Sequence, residues 1–252
     1  VFNNPLEYPP YELINEGMDQ LQWALRRKYL EAVHGPSPVM NAHFYGIADE
    51  KIDLEPEFND RIQQAVDKAA MTNELVLQQQ GLFELPPAIN ELTELEILKL
   101  SANHLNSAPP HFEETLQSLQ VLWLKNCEVQ ELDNSIGVLH HLKHLDLEDN
   151  HISALPEHFV RLRKLETLNL SKNKLFDLPD DLGKLTALKE LYVDINRLDL
   201  LPESVSSLRH LEILSACMNS IYELPECITE LVHLTSLNLD ANEIHRLPIG
   251  MG

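Results

Sequence analysis

One sequence frame recurs through most of the chain, and it restricts the possible folds more than any other feature. The frame is L-x-x-L-x-L-x-x-N-x-L-x-x-L-P. It begins at seven leucines, spaced by 24 residues once and by 23 residues five times: Leu95, Leu119, Leu142, Leu165, Leu188, Leu211 and Leu234. A degenerate copy around Leu75 and Leu77 precedes them, giving about eight repeats, the last of them cut short. Self-similarity at a period of a few tens of residues is typical of solenoids, propellers and repeat arrays.

Each part of the frame has its own structural meaning. The alternation in L-x-x-L-x-L predicts a short strand with one buried face. One such strand cannot bury its leucines alone, so the copies are expected to stack as a parallel sheet over a continuous core. The Leu-Pro pair predicts an extended return segment, because proline fixes φ and lacks an N–H. In six repeats an asparagine follows the strand and can bond backbone groups of the turn. These residues are Asn103, Asn150, Asn173, Asn196, Asn219 and Asn242. In the repeat from Leu119, Cys127 takes this place.

The pattern resembles the leucine-rich repeat family in its 23-residue Leu-Pro form, found in intracellular Ras-suppressor-like proteins and in bacterial proteins. The resemblance covers about 180 of the 252 residues. It implies an α/β fold, a leucine-rich repeat solenoid that forms a curved, horseshoe-shaped parallel sheet over residues 72–252. It also implies a role in binding other proteins.

Residues 1–71 do not repeat and are expected to form an N-terminal helical capping segment. Apolar residues at spacings of three and four predict one amphipathic helix over 11–33 and a second over 55–70. A cap would cover the open edge of the first repeat. The alternative is a separate helical module with a partner of its own. Because the chain opens on Val1 and the frame breaks off at Gly252, the sequence favours a fragment of a longer protein.

The net charge and the cysteine content restrict which classes of partner and which cellular compartment the sequence favours. The 19 Lys and Arg against 40 Asp and Glu leave a formal charge of −21, which argues against nucleic acid or an anionic membrane surface as the partner. No apolar run approaches the roughly 20 residues of a membrane helix. Three scattered cysteines do not suggest a disulfide framework, so we expect a cytoplasmic protein of the producing cell, or of a host cell if it is a translocated effector.

The variable positions beside the strand leucines are expected to form the concave face, where a partner would bind. Exposed aromatics are typical binding anchors, the acids would attract basic groups, and an apolar patch lies toward the C-terminal end. The competing interpretation is that the acids are merely solvated. The candidate residues are Trp123, Lys125, His144, Asp146, Glu148, Asp149, Glu190, Tyr192, Asp194, Ile195, Ile213 and Met218.

Catalysis has little support in the sequence. His144 and Asp146 share a strand face, but no serine or cysteine nucleophile accompanies them. The histidines at 140, 141 and 144 are not expected to converge on a metal. With 8 glycines in the whole chain there is no glycine-rich phosphate loop, and no cofactor is indicated.

The sequence therefore predicts a non-enzymatic module that recognises a partner protein carrying basic and apolar groups. Two alternatives stay open: a targeting domain of a larger enzyme or bacterial effector, and a structural spacer whose concave face binds nothing. The oligomeric state is also open.

Overall fold

The computed structural model describes residues 56–108 and 116–251, which contain one open sheet of eight parallel strands. Neighbours in the sheet are neighbours in the chain, from β1 to β8 without a crossover. The predicted helix over 11–33 lies outside the described residues. The strands are β1 Glu74–Val76, β2 Ile97–Lys99, β3 Val121–Trp123, β4 His144–Asp146, β5 Thr167–Asn169, β6 Glu190–Tyr192, β7 Ile213–Ser215 and β8 Ser236–Asn238.

Each strand is three residues long and centred on the second leucine of the frame. The register pairs leucine with leucine across every strand boundary, for example Leu98 with Leu122 and Leu122 with Leu145. These central leucines are buried in the first seven strands, whereas Leu237 in β8 is only half-buried. The frame thus places one side chain per strand in the core, and the predicted leucine-rich repeat solenoid is confirmed.

A single hydrophobic core runs along the sheet and is lined by the remaining frame leucines. Leu100, Leu124, Leu147 and Leu170 are fully buried, as are the leucines that start the five frames from Leu119 to Leu211, whereas Leu234 is half-buried. Burial of one leucine side chain contributes about 1.5–3 kcal/mol. Because every repeat adds the same set, the core grows with the number of repeats and has no single centre.

The return segment on the far side of the core combines an extended proline with a short 3₁₀ helix. Pro156, Pro202 and Pro225 have φ of −70°, −67° and −61° with extended ψ, and each directly precedes a 3₁₀ helix. The extended path predicted from Leu-Pro is seen at the proline and also two positions before it, where Leu200 and Glu223 form a parallel bridge. In the described part of the chain the 3₁₀ helices are Pro87–Glu91, Asn134–Val138, Glu157–Arg161, Leu182–Lys184, Glu203–Ser207 and Glu226–Glu230.

Helix α1 spans Pro56–Thr72 and leads directly into β1, which agrees with the helix predicted over 55–70. Its residues Ile62, Val66 and Ala69 are buried in the same hydrophobic core as the repeats. Asn73, with φ of 56°, ends the helix and donates its N–H to the carbonyl of Ala69 at 2.9 Å. The division of the chain into a capping segment and a repeat domain at residue 72 stays a prediction, since most of 1–71 lies outside the described residues.

Six of the eight strands are followed by an asparagine at the ladder position, and these asparagines bond the backbone of two successive repeats. The buried Asn150 accepts hydrogen bonds from the N–H groups of Cys127 and Val129, at 3.1 and 2.9 Å. Its amide donates to the carbonyls of Leu124 and Leu147, at 2.8 and 2.9 Å. The ladder predicted from the sequence is therefore a set of asparagine side chains that connect neighbouring turns. Asn150 alone hydrogen-bonds these four backbone groups.

Cys127 changes the ladder at one position. Its Sγ donates to the carbonyl of Leu100 at 3.2 Å, but it has no amide oxygen for the preceding turn. The N–H of Leu105 instead donates to the backbone carbonyl of Cys127 at 3.1 Å. The missing side-chain acceptor is thus replaced by a main-chain acceptor.

The residue immediately before the ladder position is left-handed in all eight repeats. Their φ values lie between 52° and 59°. None of them is glycine, although glycine adopts this conformation at least cost. The eight residues are Gln79, Ala102, Asn126, Asp149, Lys172, Ile195, Met218 and Ala241. The sequence analysis did not predict this conformation because glycine, its usual signal, is absent.

Candidate functional site on the concave face

The concave face consists of the first and third residues of each strand, with the two residues that follow each buried leucine after the strand. Side chains of successive strand residues point to opposite faces, so these residues lie opposite the central leucine. Trp123 is 36% exposed, His144 is exposed, and Tyr192, Asp146, Glu190 and Ile213 are half-buried. The face therefore offers both aromatics to solvent, though each of them is partly covered.

Trp123 is held by a neighbouring lysine on the N-terminal part of the face. The ammonium group of Lys99 lies 4.7 Å from the centre of the Trp123 ring, which is within the range of a cation–π contact. The same ammonium donates to Glu74 at 2.8 Å. Glu74, Lys99 and Trp123 thus form a chain of contacts across three adjacent strands, and this chain restrains the indole while leaving part of it accessible.

The central acids are largely neutralised by lysines of the same face. Glu148 accepts hydrogen bonds from Lys125 at 2.8 Å and from Lys172 at 2.6 Å. Burial acts to raise the pKa of Glu148, but hydrogen bonds and charge from the two lysines outweigh it, so the pKa is lowered overall. The sequence analysis included Lys125 but missed Lys172. The signal for both is cross-strand proximity, because Lys125 lies one repeat before Glu148 and Lys172 one repeat after it.

Asp146 has a role in the turn that follows its strand. Its Oδ1 accepts a hydrogen bond from the backbone N–H of Glu148 at 3.0 Å, and Asn169 and Asn238 make the same bond in their repeats. Burial is the main cause of the raised pKa of Asp146. Of the three clustered acids, only Asp149 is exposed without an ion pair in the described part of the chain.

A second group of candidate residues lies on β6, β7 and the turns after them. The Tyr192 hydroxyl donates to Glu190 at 3.3 Å, and burial is the main cause of the raised pKa of the phenol. Asp194 accepts hydrogen bonds at one oxygen from the Ser215 hydroxyl (2.6 Å) and the Cys217 N–H (2.7 Å). Within the described residues neither Glu190 nor Asp194 is paired with a lysine or arginine, so this part of the face keeps its negative charge.

Two exposed apolar side chains border these acids. Ile195 and Met218 are 40% and 55% exposed, and both occupy the left-handed position before the ladder asparagine. Ile213, on the adjacent strand β7, is half-buried. The structure therefore brings Glu190, Tyr192 and Asp194 into one group with these apolar residues.

The two ends of the face are separated by the neutralised centre. Trp123 and Tyr192 occupy equivalent positions on β3 and β6, three strands apart. At about 4.8 Å per strand they are roughly 14 Å from each other. An extended segment of about four residues can reach both aromatics.

The described residues contain no group of three or more His, Cys, Asp or Glu side chains that could hold a metal ion. Cys217 lies on the concave face, but burial, the hydrogen bond to Asp194 and nearby acids raise the pKa of its thiol. A raised pKa lowers the fraction of nucleophilic thiolate. No helix in the described part of the chain has the length and apolar character needed to cross a bilayer.

Comparisons with known proteins agree with this architecture. The family model described as "Leucine-rich repeat region" matches residues 106–217. The flightless-1 homolog of Caenorhabditis elegans is 35% identical over 104 residues, which are 38% of this chain and 8% of that protein. This chain therefore corresponds to a small part of that curated relative.

Two solved structures share the fold. The plant peptide hormone receptor RGFR1, solved in complex with RGF2, is 26% identical with a TM-score of 0.58, over 67% of this chain and 28% of the receptor. Internalin C2 of Listeria monocytogenes is 22% identical with a TM-score of 0.66, over 74% of this chain and 85% of the internalin. The frame, the parallel strands and these likenesses lead to one conclusion: this chain contains a region of leucine-rich repeats, folded as a leucine-rich repeat solenoid.

Proposed function

We propose that the protein is a non-enzymatic recognition module that binds a partner protein through its concave face. The observation that carries the proposal is the exposure of Trp123, Ile195 and Met218 there, since the fold has no need of large apolar side chains at solvent-facing positions. Leucine-rich repeat proteins generally mediate protein–protein interactions, and the RGFR1 complex is one such case among the structural relatives.

The charges of the face suggest what the partner carries. Glu190 and Asp194 have no cation within the described residues, so a lysine or arginine of the partner would meet them beside the apolar surface of Ile195 and Met218. Trp123 would be a second anchor at the other end. Glu148 would contribute little, because Lys125 and Lys172 already bind it. The partner therefore has a basic group and an apolar group near β6 and β7, and an apolar group near β3.

A cytoplasmic location is part of the same proposal. The three cysteines are free, which suits a reducing compartment.

The test is capture of the partner by wild-type protein and by a Trp123→Ala/Tyr192→Ala double variant. The matched control is Phe176→Ala, which removes an exposed aromatic outside the concave face. Truncation of a central aromatic anchor typically costs about 2 kcal/mol, so the double variant should bind at least roughly 30-fold more weakly while the control binds normally. A partner that binds all three proteins equally would exclude the concave face as its site.

A second candidate is that this module targets a longer protein to its site of action, as part of an enzyme or bacterial effector. The observation in its favour is that the flightless-1 homolog, which matches this chain, is far longer than the matching segment. Sequencing the transcript beyond the codon for Gly252 distinguishes the two candidates, because a catalytic domain in the same reading frame would favour targeting.

A further inference from the structure

A groove on the flank of the solenoid is distinct from the concave face and has a different character. It has a volume of about 480 Å³ and runs across the segments around the Leu-Pro pairs of three successive repeats. Its floor is formed by the frame residues Leu178, Leu201 and Leu224, which are buried. Pro202 and Pro225 lie beside them and offer no N–H to a ligand.

Two apolar side chains in the groove are exposed without a structural reason. Leu200 and Tyr222 are each 45% exposed. Leu200 pairs with Glu223 in an isolated parallel bridge, and Asp177 holds the equivalent frame position in the preceding repeat. An exposed leucine therefore stands in a column where both neighbouring repeats carry an acid.

The charge of the groove has one sign. Five acids line it, Asp177, Asp180, Glu203, Glu223 and Glu226, and no lysine, arginine or histidine is among the lining residues. Glu226 is paired with Arg246, which approaches from outside the lining, at 2.5 Å. Asp177, Asp180 and Glu223 have no ion pair anywhere in the described part of the chain. A concave, low-dielectric surface of one charge concentrates ligands of the opposite charge.

We propose that this flank groove binds an extended peptide segment of a partner protein in which one apolar residue is flanked by arginine or lysine on both sides. The apolar side chain packs against Leu200 and Tyr222, over the leucine floor. The flanking cations pair with Asp180 on one side and Glu223 on the other. This interaction does not depend on the concave face, so the protein can bind two partners at once.

The probe for the test is a fluorescently labelled peptide of sequence Gly-Arg-Arg-Leu-Arg-Arg-Gly, titrated with the full chain and followed by anisotropy. A second probe carries serine in place of the leucine. The groove variant is Asp180→Lys/Glu223→Lys. The matched control is Glu157→Lys/Glu131→Lys, which makes the same change of charge at the equivalent exposed frame positions of two other repeats, away from Leu200 and Tyr222.

The expected result is that the groove variant binds the leucine probe about tenfold or more weakly than the wild type, while the control variant keeps its affinity within about threefold. Leu200→Ser should lower the affinity for the leucine probe and leave the affinity for the serine probe unchanged. Thermal unfolding of each variant establishes that it is folded.

Four results would overturn the proposal. Equal losses in the two charge variants would mean that the probe senses net charge alone. Equal affinity for the two probes would mean that Leu200 and Tyr222 do not contact the ligand. Absence of binding to the wild type at about 1 mM protein would exclude the site for peptides of this class. Self-association that Leu200→Ser abolishes would also overturn it, since the occupant would then be a second copy of the chain.

Discussion

At the scale of the residue, the ladder asparagines link the backbone of one repeat to that of the next. Asn150 is 3% exposed, and its side chain closes backbone groups of two successive repeats. Its replacement leaves two N–H groups and two carbonyls without a side-chain partner in a buried turn. Each buried polar group left unsatisfied costs about 1–3 kcal/mol.

We therefore expect Asn150→Ala to lower the free energy of unfolding by about 3 kcal/mol or more. Asn242→Ala removes equivalent bonds to Ala216, Leu239 and Ile221 from a half-exposed turn, where water can replace them. Its expected cost is about 1 kcal/mol. Urea-induced unfolding followed by tryptophan fluorescence measures both, and equal costs would contradict this account of the ladder.

Cys127 is expected to be the least reactive thiol of the folded protein. Burial raises its pKa from 9.0 to about 11, which lowers the thiolate fraction about a hundredfold near neutral pH. Iodoacetamide at pH 8 should modify Cys217 and Cys227 well before Cys127, and unfolding in urea should remove the difference. Mass spectrometry of the alkylated peptides gives the order, and early modification of Cys127 would show that its turn opens readily.

The same pKa shift has a consequence for stability. The folded protein holds the Cys127 proton more tightly than the unfolded chain, so the contribution of this group is complete below pH 9 and is lost as the pH rises toward about 11. A Cys127→Ala variant should therefore lose less of its free energy of unfolding between pH 8 and pH 10.5 than the wild type does. Unfolding free energies at pH 8 and pH 10.5 compare the two proteins.

At the scale of the element, two of the described 3₁₀ helices, Asn134–Val138 and Leu182–Lys184, carry a glycine where the next repeat approaches closely. Gly183 donates its N–H to the Ser204 hydroxyl at 3.1 Å. A Cβ at position 183 would overlap the carbonyl oxygen of Ser204 and lie 2.7 Å from the Cβ of Ser207. Since both obstacles belong to the adjacent 3₁₀ segment, any side chain at 183 would push two repeats apart.

Gly183→Ala is therefore expected to destabilise the protein by roughly 2 kcal/mol, as overpacking of a tight contact does. Ser206 holds the equivalent frame position one repeat later, where its hydroxyl donates to the nearby carbonyl of Glu203 and also hydrogen-bonds the Cys227 thiol at the surface. Ser206→Ala is therefore the matched control, with an expected effect within about 0.5 kcal/mol. Thermal unfolding of the two variants decides the matter. A neutral Gly183→Ala would mean that the two segments can separate without cost.

The elements also show what can be read from the sequence. All eight strands lie where the frame predicts them, because each needs only a leucine alternation that is local in the chain. The Lys125–Glu148–Lys172 pairing and the flank groove around Leu200 depend on which variable residues of different repeats meet. Which residues meet depends on the register between neighbouring strands. The frame gives that register only once the repeats are taken to stack as a parallel sheet. The role of the twelve concave residues in binding a partner stays a prediction.

At the scale of the whole molecule, burial falls toward β8. Leu191 and Leu214 are fully buried in β6 and β7, whereas Leu237 and Leu239 of the last described repeat are half-buried. Since each repeat contacts mainly its neighbours, the stability of one end can be lower than that of the middle.

Hydrogen exchange should show this gradient directly. Amides of 236–239 are expected to exchange about tenfold or more faster than those of 190–193, because local opening of the last strand exposes few buried side chains. Mass spectrometry of the exchanged peptides measures the two rates. Uniform exchange along the sheet would show that the repeats open only as a single unit.

The asparagine ladder also gives the molecule a direction. Most turns after a strand are bonded by an asparagine of the following repeat, as Asn150 accepts hydrogen bonds from the N–H groups of Val129 and Cys127, which lie 21 and 23 positions earlier. During synthesis a newly made turn must therefore wait for the following repeat to leave the ribosome before its polar groups are satisfied. The nascent solenoid therefore has one turn at its growing end whose backbone groups still lack their side-chain partner. Translation sets the order in which the turns gain these hydrogen bonds.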